Sequence, residues 1–166
     1  MKWDKGVDYT TTYQRILNNI KRSKGKSRCY LAIALVQLRN GARVSEAVRG
    51  FKQYLKTGKD EVEVRVSKKK HDDYRIIIIP QEVQELKQEC ADLLDMSDYS
   101  IREGVRQTLR NKLKINTHSL RYSFITYLSV NGVSPNIIAK ITHHSKLDMI
   151  LNYTQEKIAK ETLNKI

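Results

Sequence analysis

The sequence has few cysteines and no long apolar segment. Cys29 and Cys90 are the only cysteines, and no Cys-x-x-Cys motif occurs, so a disulfide framework is not indicated. We therefore expect two reduced thiols in the core of a cytoplasmic protein. No apolar run, Ile76–Ile79 included, approaches the roughly 20 residues of a membrane helix. The charged start Met1–Gly6 lacks an apolar signal region, which predicts neither export nor membrane insertion.

Acidic residues are also scarce relative to basic ones. The chain has 18 Asp and Glu against 31 Lys and Arg, a formal net charge of +13 at pH 7. An excess of this size on a small domain favours a polyanionic partner, and nucleic acid is the usual one. The alternative is the lysine-rich surface of a heat-adapted protein, but that pattern normally includes matching Glu.

Hydrophobic periodicity predicts one mainly α-helical domain with a small antiparallel β-hairpin, an α+β class. Apolar residues alternate in Val62–Val66 and recur in Tyr74–Ile79, on either side of the polar turn Lys68–Asp73, which is the pattern of a hairpin with a lysine-rich tip. The basic run Lys21–Arg28 is interpreted as a loop. Helices are predicted at Thr10–Ile20, Tyr30–Leu38, Val44 to about Tyr54, Gln81–Leu94, Ser100–Leu113, His118–Leu128, Pro135–Ile141, Leu147–Tyr153 and Gln155–Leu163.

Polar residues with chemical potential lie at the edges of these elements. Arg43 follows an Asn-Gly turn, and His118 and Arg121 are one helical turn apart, so they share a face. His144 lies in a polar break between helices, and Tyr153 follows nine residues later. Each of these features alone is typical of a solvated charge or a packing aromatic.

In this order and spacing, the segments resemble the tyrosine recombinase (phage integrase) family. The resemblance covers the chain from about Tyr30 to Gln155. Its boxes are Gly41–Ala47 (GARVSEA) with the first arginine, the lysine hairpin, Thr117–Phe124 (THSLRYSF) with the second, Ile141–Ser145 (ITHHS), and Asn152–Thr154 (NYT) with the nucleophile.

The resemblance implies the tyrosine recombinase catalytic-domain fold for residues 1–166, without the N-terminal core-binding domain. It implies site-specific cleavage and rejoining of double-stranded DNA through a 3′-phosphotyrosyl bond, with no cofactor and with self-association, as a tetramer, on DNA. Arg43 and Arg121 would bind the phosphate oxygens, and Tyr153 would attack the phosphorus.

Three further roles follow from the same resemblance. His118 would accept the proton of the tyrosine, His144 would hydrogen-bond the phosphate, and Lys69 would protonate the leaving 5′ oxygen. Lys68 and Lys70 remain alternatives to Lys69. Glu46, one turn after Arg43, would orient a neighbouring basic side chain rather than take part in the chemistry.

The sequence departs from the family pattern at two further positions. His143 replaces a glycine, which predicts either a different turn or a left-handed conformation at His143 itself. Tyr122 stands where a second histidine often follows the arginine. The lysine- and isoleucine-rich composition fits heat-adapted members, such as archaeal viral or chromosomal integrases.

Three other functions compete with this interpretation. A non-catalytic helical DNA-binding protein would explain the charge but not the ordered boxes. A metal-dependent nuclease would use His118, His143 and His144 as ligands, although no cluster of carboxylates lies near them in the sequence. A type IB topoisomerase would share the phosphotyrosine chemistry, and relaxation of supercoiled DNA without strand exchange would identify it.

Overall fold

A two-stranded antiparallel sheet and seven α-helices precede residue 145 in the computed structural model, which describes residues 7–68, 72–144, 156 and 159–166. The described residues also include a 3-10 helix at Ala91–Asp95, and residues 159–165 are helical. The elements are α1 (Tyr9–Arg22), α2 (Gly25–Asn40), α3 (Val44–Thr57), β1 (Glu61–Arg65), β2 (Tyr74–Ile78), α4 (Gln81–Gln84), α5 (Asp98–Leu113), α6 (Thr117–Val130) and α7 (Pro135–Thr142). The predicted mainly α-helical fold with one hairpin is confirmed.

Helix α2 is the centre of the fold. Every residue from Leu31 to Leu38 is buried, and a helix that is apolar on all sides must be surrounded by other elements. Helices α1, α3, α5 and α6 pack around it. The helix ends at Gly41 in the left-handed conformation (φ 58°, ψ 33°), as the Asn-Gly turn predicts. The ring of Phe124 occupies the place where a side chain at position 41 would project, so only glycine fits there.

The hairpin packs its inner face on α3. Strands β1 and β2 pair in an antiparallel register from Glu61 opposite Ile78 to Arg65 opposite Tyr74. Alternate residues of each strand are buried, while the outward side chains of β2 are exposed. One face of the hairpin therefore faces the core, and the other faces solvent.

Side-chain caps fix where four helices begin. In each case a side-chain oxygen accepts a hydrogen bond from a backbone N–H of the first helical turn, which otherwise lacks a partner. The capping residues are Asp8 of α1, Ser97 of α5, Asn116 of α6 and Ser134 of α7.

Two predictions of local structure are wrong. The predicted loop Lys21–Arg28 is mostly helical, because α1 continues to Arg22 and α2 starts at Gly25; lysine and arginine favour helices as strongly as most residues do. The predicted helix Gln81–Leu94 is instead a short helix, turns and a 3-10 helix. Its backbone bonds often span three residues, as in Leu86 N–H to the Val83 carbonyl, 3.1 Å, and this tighter winding still buries its apolar positions.

The prediction of reduced thiols is also wrong. Cys29 of α2 and Cys90, just before the 3-10 helix, form a disulfide, and both residues are buried. The two Cα atoms are 5.6 Å apart across a sequence separation of 61 residues. A cross-link of this span stabilises the fold by about 4 kcal/mol, mainly by restricting the unfolded chain.

The part of the chain that the structure describes has no helix both long and apolar enough to traverse a bilayer. Of the last two predicted helices, Leu147–Tyr153 lies outside the described residues. Gln155–Leu163 is described only at residue 156 and from residue 159 onwards, where the chain is helical.

Candidate active site

A cavity of about 1060 Å³ opens between the start of α3, the end of the hairpin's first strand, one face of α5 and the start of α6. It collects side chains from segments that are far apart in the sequence, and seven of its 18 lining residues are Lys or Arg. Those named as candidates from the sequence are Arg43, Lys68, His118, Arg121 and His144.

Arg43 is held by a buried carboxylate. It precedes the first residue of α3, and its backbone N–H donates to Oε1 of Glu46 at 3.1 Å. Its guanidinium Nη1 donates to Oε2 of the same carboxylate at 3.0 Å. Glu46 is 0% exposed, so this one side chain fixes both the backbone and the guanidinium of Arg43. The orienting role expected for Glu46 is what the geometry provides.

Glu46 also binds the hairpin. It accepts from the Ser67 backbone N–H at 3.0 Å and from Nη1 of Arg75 at 3.3 Å. Burial alone would raise the pKa of Glu46, but the Ser67 bond and the charges of Arg75 and Arg43 outweigh it and lower that pKa. The carboxylate is therefore ionised at neutral pH.

Arg75 is a functional neighbour that the sequence analysis missed. It is 4% exposed, and its Nη2 donates to the Asn40 carbonyl at 2.6 Å. The two-residue period of the strand indicates its position, because Arg75 and Ile77 alternate with exposed residues and share the inward face.

Ser67, the residue before Lys68, is held against α3 by hydrogen bonds. The hydroxyls of Ser67 and Ser45 lie 2.5 Å apart, and Nη2 of Arg49 donates to Ser67 Oγ at 2.8 Å. Arg49 also donates to the Arg65 carbonyl at 2.6 Å. Lys68 follows with a left-handed backbone (φ 63°) and lines the cavity.

Arg121 is buried and held mainly by carbonyl groups. Its Nη1 donates to the Gly41 carbonyl at 2.8 Å, and its Nη2 donates to the Thr142 carbonyl at 3.0 Å. Burial, followed by the charge of Arg43, lowers the pKa of Arg121 to about 9, so it stays protonated at pH 7. In the described part of the chain, no carboxylate lies within hydrogen-bond distance of this guanidinium. A buried charge held in this way favours an anionic ligand.

The turn after α7 directs His144 towards Arg121. His143 is left-handed (φ 55°, ψ 44°), which confirms one of the two conformations expected for a residue that replaces glycine. The next ring, His144, has Nδ1 at 2.6 Å from Thr142 Oγ1 and at 3.2 Å from Nη2 of Arg121. Thr142 thus positions both the second arginine and the histidine.

His118 lies in the first turn of α6, beside the capping residue Asn116. Burial lowers the pKa of His118, and the positive charges of Lys68 and Arg121 lower it further. The imidazole is therefore neutral at pH 7 and has a nitrogen able to accept a proton.

A basic stripe on α5 extends the cavity. It consists of Arg102, Arg106 and Arg110 of α5 and of Lys114, which directly follows the helix, and all four residues line the cavity. A spacing of four residues places the three arginines on one helical face, over about 12 Å. The sequence analysis missed the stripe, although its spacing is visible in the sequence.

Two of the predicted site residues, Lys69 and Tyr153, lie outside the described residues. The structure brings the other four, Arg43, His118, Arg121 and His144, into one cavity. No group of three or more histidines, cysteines or carboxylates placed to hold a metal ion occurs within residues 7–68, 72–144, 156 and 159–166.

The fold is similar to that of a recombinase. The crystal structure of XerH, a site-specific recombinase bound to its difH substrate, aligns with 95% of this chain at a TM-score of 0.64 and 18% identity. The chain spans 53% of the XerH chain. This likeness shows a recombinase-like fold, and the two arginines lie in one cavity of it.

Sequence relatives point to the same class. The chain is 39% identical to "Putative integrase ORF241" of Acidianus two-tailed virus, over 99% of this chain and 68% of the viral protein. It is 29% identical to "Putative integrase V10" of Sputnik virophage, over 89% of this chain and 75% of that protein. No family model matches the chain. The chain belongs to the tyrosine recombinase-type integrase family.

Proposed function

We propose that this chain is the catalytic domain of a site-specific DNA integrase that cuts and rejoins strands through a covalent bond to Tyr153. One observation carries the proposal. Arg43 and Arg121 reach one cavity from different helices, and His118 and His144 line the same cavity. Two guanidinium groups with the neutral imidazole of His118 beside them provide what attack on a phosphodiester requires.

Arg121 keeps donors for a substrate. A guanidinium has five N–H groups, and the bonds to Gly41, Thr142 and His144 do not use all of them. The remaining hydrogens can donate to the non-bridging phosphate oxygens, which gain negative charge in the transition state. One such donor contributes roughly 3–4 kcal/mol.

The reaction is a phosphoryl transfer with a balanced proton count. The Tyr153 oxygen forms a bond to phosphorus while the bond from phosphorus to the 5′ oxygen breaks. His118 accepts the phenolic proton, and a lysine that follows β1, for which Lys69 is our first choice, donates a proton to the leaving 5′ oxygen. The phosphotyrosine retains the bond energy, so a 5′-hydroxyl can reverse the step without a cofactor.

The charge distribution fits double-stranded DNA as the substrate. The net charge is +13, and the basic stripe on α5 continues from the two arginines along the cavity. Lys and Arg side chains in such a row bind successive phosphates without reading sequence. DNA held there would carry one phosphate into the cavity.

The covalent intermediate can be trapped on nicked DNA. The substrate is a library of short duplexes with a randomised central sequence and a nick, so that the piece beyond the cut diffuses away and ligation fails. We expect an adduct stable to denaturing gels in wild type, absent in Tyr153→Phe and reduced by about 10² to 10³ in Arg43→Ala and Arg121→Ala. Tyr99→Phe, an exposed tyrosine outside the cavity, is the matched control.

An adduct that persists in Tyr153→Phe would contradict the assignment of the nucleophile, and no adduct from the whole library would contradict cleavage. EDTA should leave the adduct unchanged, because the proposed reaction uses no metal ion. A metal-dependent nuclease would instead lose the adduct in EDTA. Selected sequences then distinguish the two phosphotyrosine enzymes. Strand exchange between two duplexes supports the integrase, whereas plasmid relaxation without exchange supports a type IB topoisomerase.

The lysine that donates the proton can be identified with a DNA substrate that carries sulfur at the leaving position. A duplex with sulfur in place of the 5′ bridging oxygen releases a thiolate, which needs no proton because a thiol has a pKa of about 8.5. Alanine variants of Lys68, Lys69 and Lys70 are compared on the oxygen and sulfur substrates. The donor is the lysine whose loss slows cleavage of the oxygen substrate only.

Self-association on DNA is the remaining part of the proposal. The helical residues near the C-terminus include Leu163, which is 73% exposed, and exposed apolar residues favour a protein contact. We expect a tetramer when two selected sites are brought together, measured by light scattering. A monomer on every DNA tested would contradict this.

A further inference from the structure

A hydrogen-bonded pair of side chains joins the hairpin to the turn after α7. Nδ1 of His143 lies 2.8 Å from Oδ2 of Asp73, and both side chains are partly buried. Asp73 immediately precedes β2, and its carbonyl accepts from the Val66 N–H at 2.8 Å. The two residues of the pair are 70 positions apart in the sequence.

The pair crosses an open groove. A groove of about 650 Å³ separates the outer face of β2 from α7, and its walls include Ile76, Ile78 and Ile141 as well as His143. Bulky side chains therefore do not fill the space between the two elements. The bond from His143 to Asp73 links the residue after α7 to the residue before β2. His143 lines this groove, and the next residue, His144, lines the active-site cavity.

Other contacts support both ends of the pair. The α7 turn is held by Arg121, which donates to the Thr142 carbonyl and contacts the His144 ring. On the β1 side of the hairpin, Ser67 is bound to α3 by Glu46 and Arg49. On the β2 side, the Asp73 carbonyl accepts from Val66 and the neighbouring Asp72 pairs with Arg65 at 3.2 Å, an exposed pair that contributes little. The bond to His143 therefore adds a contact with the α7 turn on the β2 side, which the contacts of Ser67 do not provide.

We propose that His143 and Asp73 form a positioning pair that holds the lysine-bearing end of the hairpin against the active-site cavity. The inference rests on the proposed DNA cleavage, because the hairpin supplies the proton for the leaving oxygen. It explains why a histidine occupies a left-handed position that favours glycine: its side chain makes a bond that glycine cannot make.

His143→Gly separates the side chain from the backbone. Glycine adopts the left-handed conformation without strain, so His143→Gly removes the bond to Asp73 while the turn keeps its shape. Asp73→Ala removes the same bond from the other side, and Asp73→Asn keeps an acceptor oxygen. The matched control is Asp72→Ala, which deletes the neighbouring exposed carboxylate.

The expected results are as follows. His143→Gly and Asp73→Ala each slow adduct formation about tenfold, the loss of one charge-assisted hydrogen bond. The double variant is no slower than either single one, because both remove the same interaction. Asp73→Asn recovers most of the rate, Asp72→Ala matches wild type, and DNA affinity stays within about twofold throughout.

Two readouts exclude a merely structural role. The 5′-sulfur substrate should restore the rate of His143→Gly to the wild-type rate on sulfur, because that leaving group needs no positioned donor. Amide hydrogen exchange should rise in His143→Gly at Val66, whose N–H donates to the Asp73 carbonyl, with the amides of the central helix α2 unchanged.

Four outcomes would contradict the positioning role of His143 and Asp73. These are wild-type rates in His143→Gly, additive losses in the double variant, no rescue by sulfur, or unchanged exchange at Val66. The exchange experiment needs no DNA, so it tests the link even if wild type forms no adduct. Absence of the adduct would contradict the proposed function, whereas unchanged exchange would contradict this inference alone.

Discussion

Arg43 and Arg121 line the same cavity but are held in opposite ways. Arg43 is bound by the carboxylate of Glu46, which lies one turn away on the same helix. Arg121 is bound by the carbonyls of Gly41 and Thr142 and by the His144 ring, all from other elements. Arg43 is paired with a carboxylate close by in the sequence. Arg121 is buried and held by tertiary contacts, with no carboxylate within hydrogen-bond distance among the described residues.

This difference predicts different roles for the two arginines in the proposed cleavage reaction. The charge of Arg43 is partly offset by Glu46, so Arg43 mainly provides a fixed direction for hydrogen bonding. The charge of Arg121 remains available to a phosphate, and its lowered pKa reflects burial and repulsion by Arg43. We therefore expect Arg121 to dominate anion binding and Glu46 to dominate local stability.

The largest expected effect is on cleavage. Arg121→Ala should reduce the rate of adduct formation about 10³-fold and Arg43→Ala about 10²-fold, because removal of one oxyanion donor costs 10² to 10³. Single-turnover rates on a selected duplex measure both. A larger loss in Arg43→Ala than in Arg121→Ala would reverse the comparison.

Glu46→Gln should destabilise the fold by about 3 kcal/mol. The substitution breaks a buried ion pair and places the NH₂ group of glutamine against the N–H donors that Glu46 now accepts from. Denaturant unfolding measures this loss. The folded-state pKa of Glu46 is lower than its usual value of 4.5. The wild-type contribution is therefore fully present above pH 4.5 and is lost as the pH falls through the lowered pKa. A stability of Glu46→Gln equal to wild type at pH 7 would contradict the central role of this carboxylate.

Inorganic sulfate should stabilise the protein through Arg121. At a concentration ten times the Kd, one bound anion adds about 1.4 kcal/mol, which is seen as a rise in Tm. Arg121→Ala should lose this rise, while Arg43→Ala should keep part of it. Sodium chloride at equal ionic strength controls for general screening. An equal response in both variants would show that the two arginines bind anions alike.

The smallest effect is on the titration of His118. Its pKa is lowered by burial and then by Lys68 and Arg121, with Arg43 further down the order of causes. NMR should therefore find the His118 pKa below 6.5 in wild type and higher in Arg121→Ala, with a smaller rise in Arg43→Ala. Cleavage at low DNA concentration should then decline only below pH 6.5, where the imidazole takes up a proton.

The sequence predicted those elements of the fold that depend on short, local patterns of residues. Alternation in Val62–Val66 predicted a strand, the Asn-Gly turn predicted the end of α2, and the helical period in Ser100–Leu113 predicted α5. The segment Gln81–Leu94 has the same period but winds more tightly. Periodicity reports which side chains are buried and does not by itself distinguish an α-helix from successive tight turns.

The candidate site was predicted through the order of its boxes. Positions such as Arg43 and Arg121 could be named because each lies in a short motif. The partners of Arg121 could not, since main-chain carbonyls of Gly41 and Thr142 carry no residue-specific signal. The bond between His143 and Asp73 joins two segments 70 residues apart, and nothing in either segment alone specifies the other.

The sequence by itself determined the family, the mainly helical architecture and the strongly basic charge, because each depends on residue type and local spacing. Only the tertiary structure decided that Glu46 serves Arg43, Ser67 and Arg75 at once, and that Cys29 is bonded to Cys90. Such pairings depend on which surfaces meet when the helices pack around α2, and packing is a property of the whole chain rather than of any one segment.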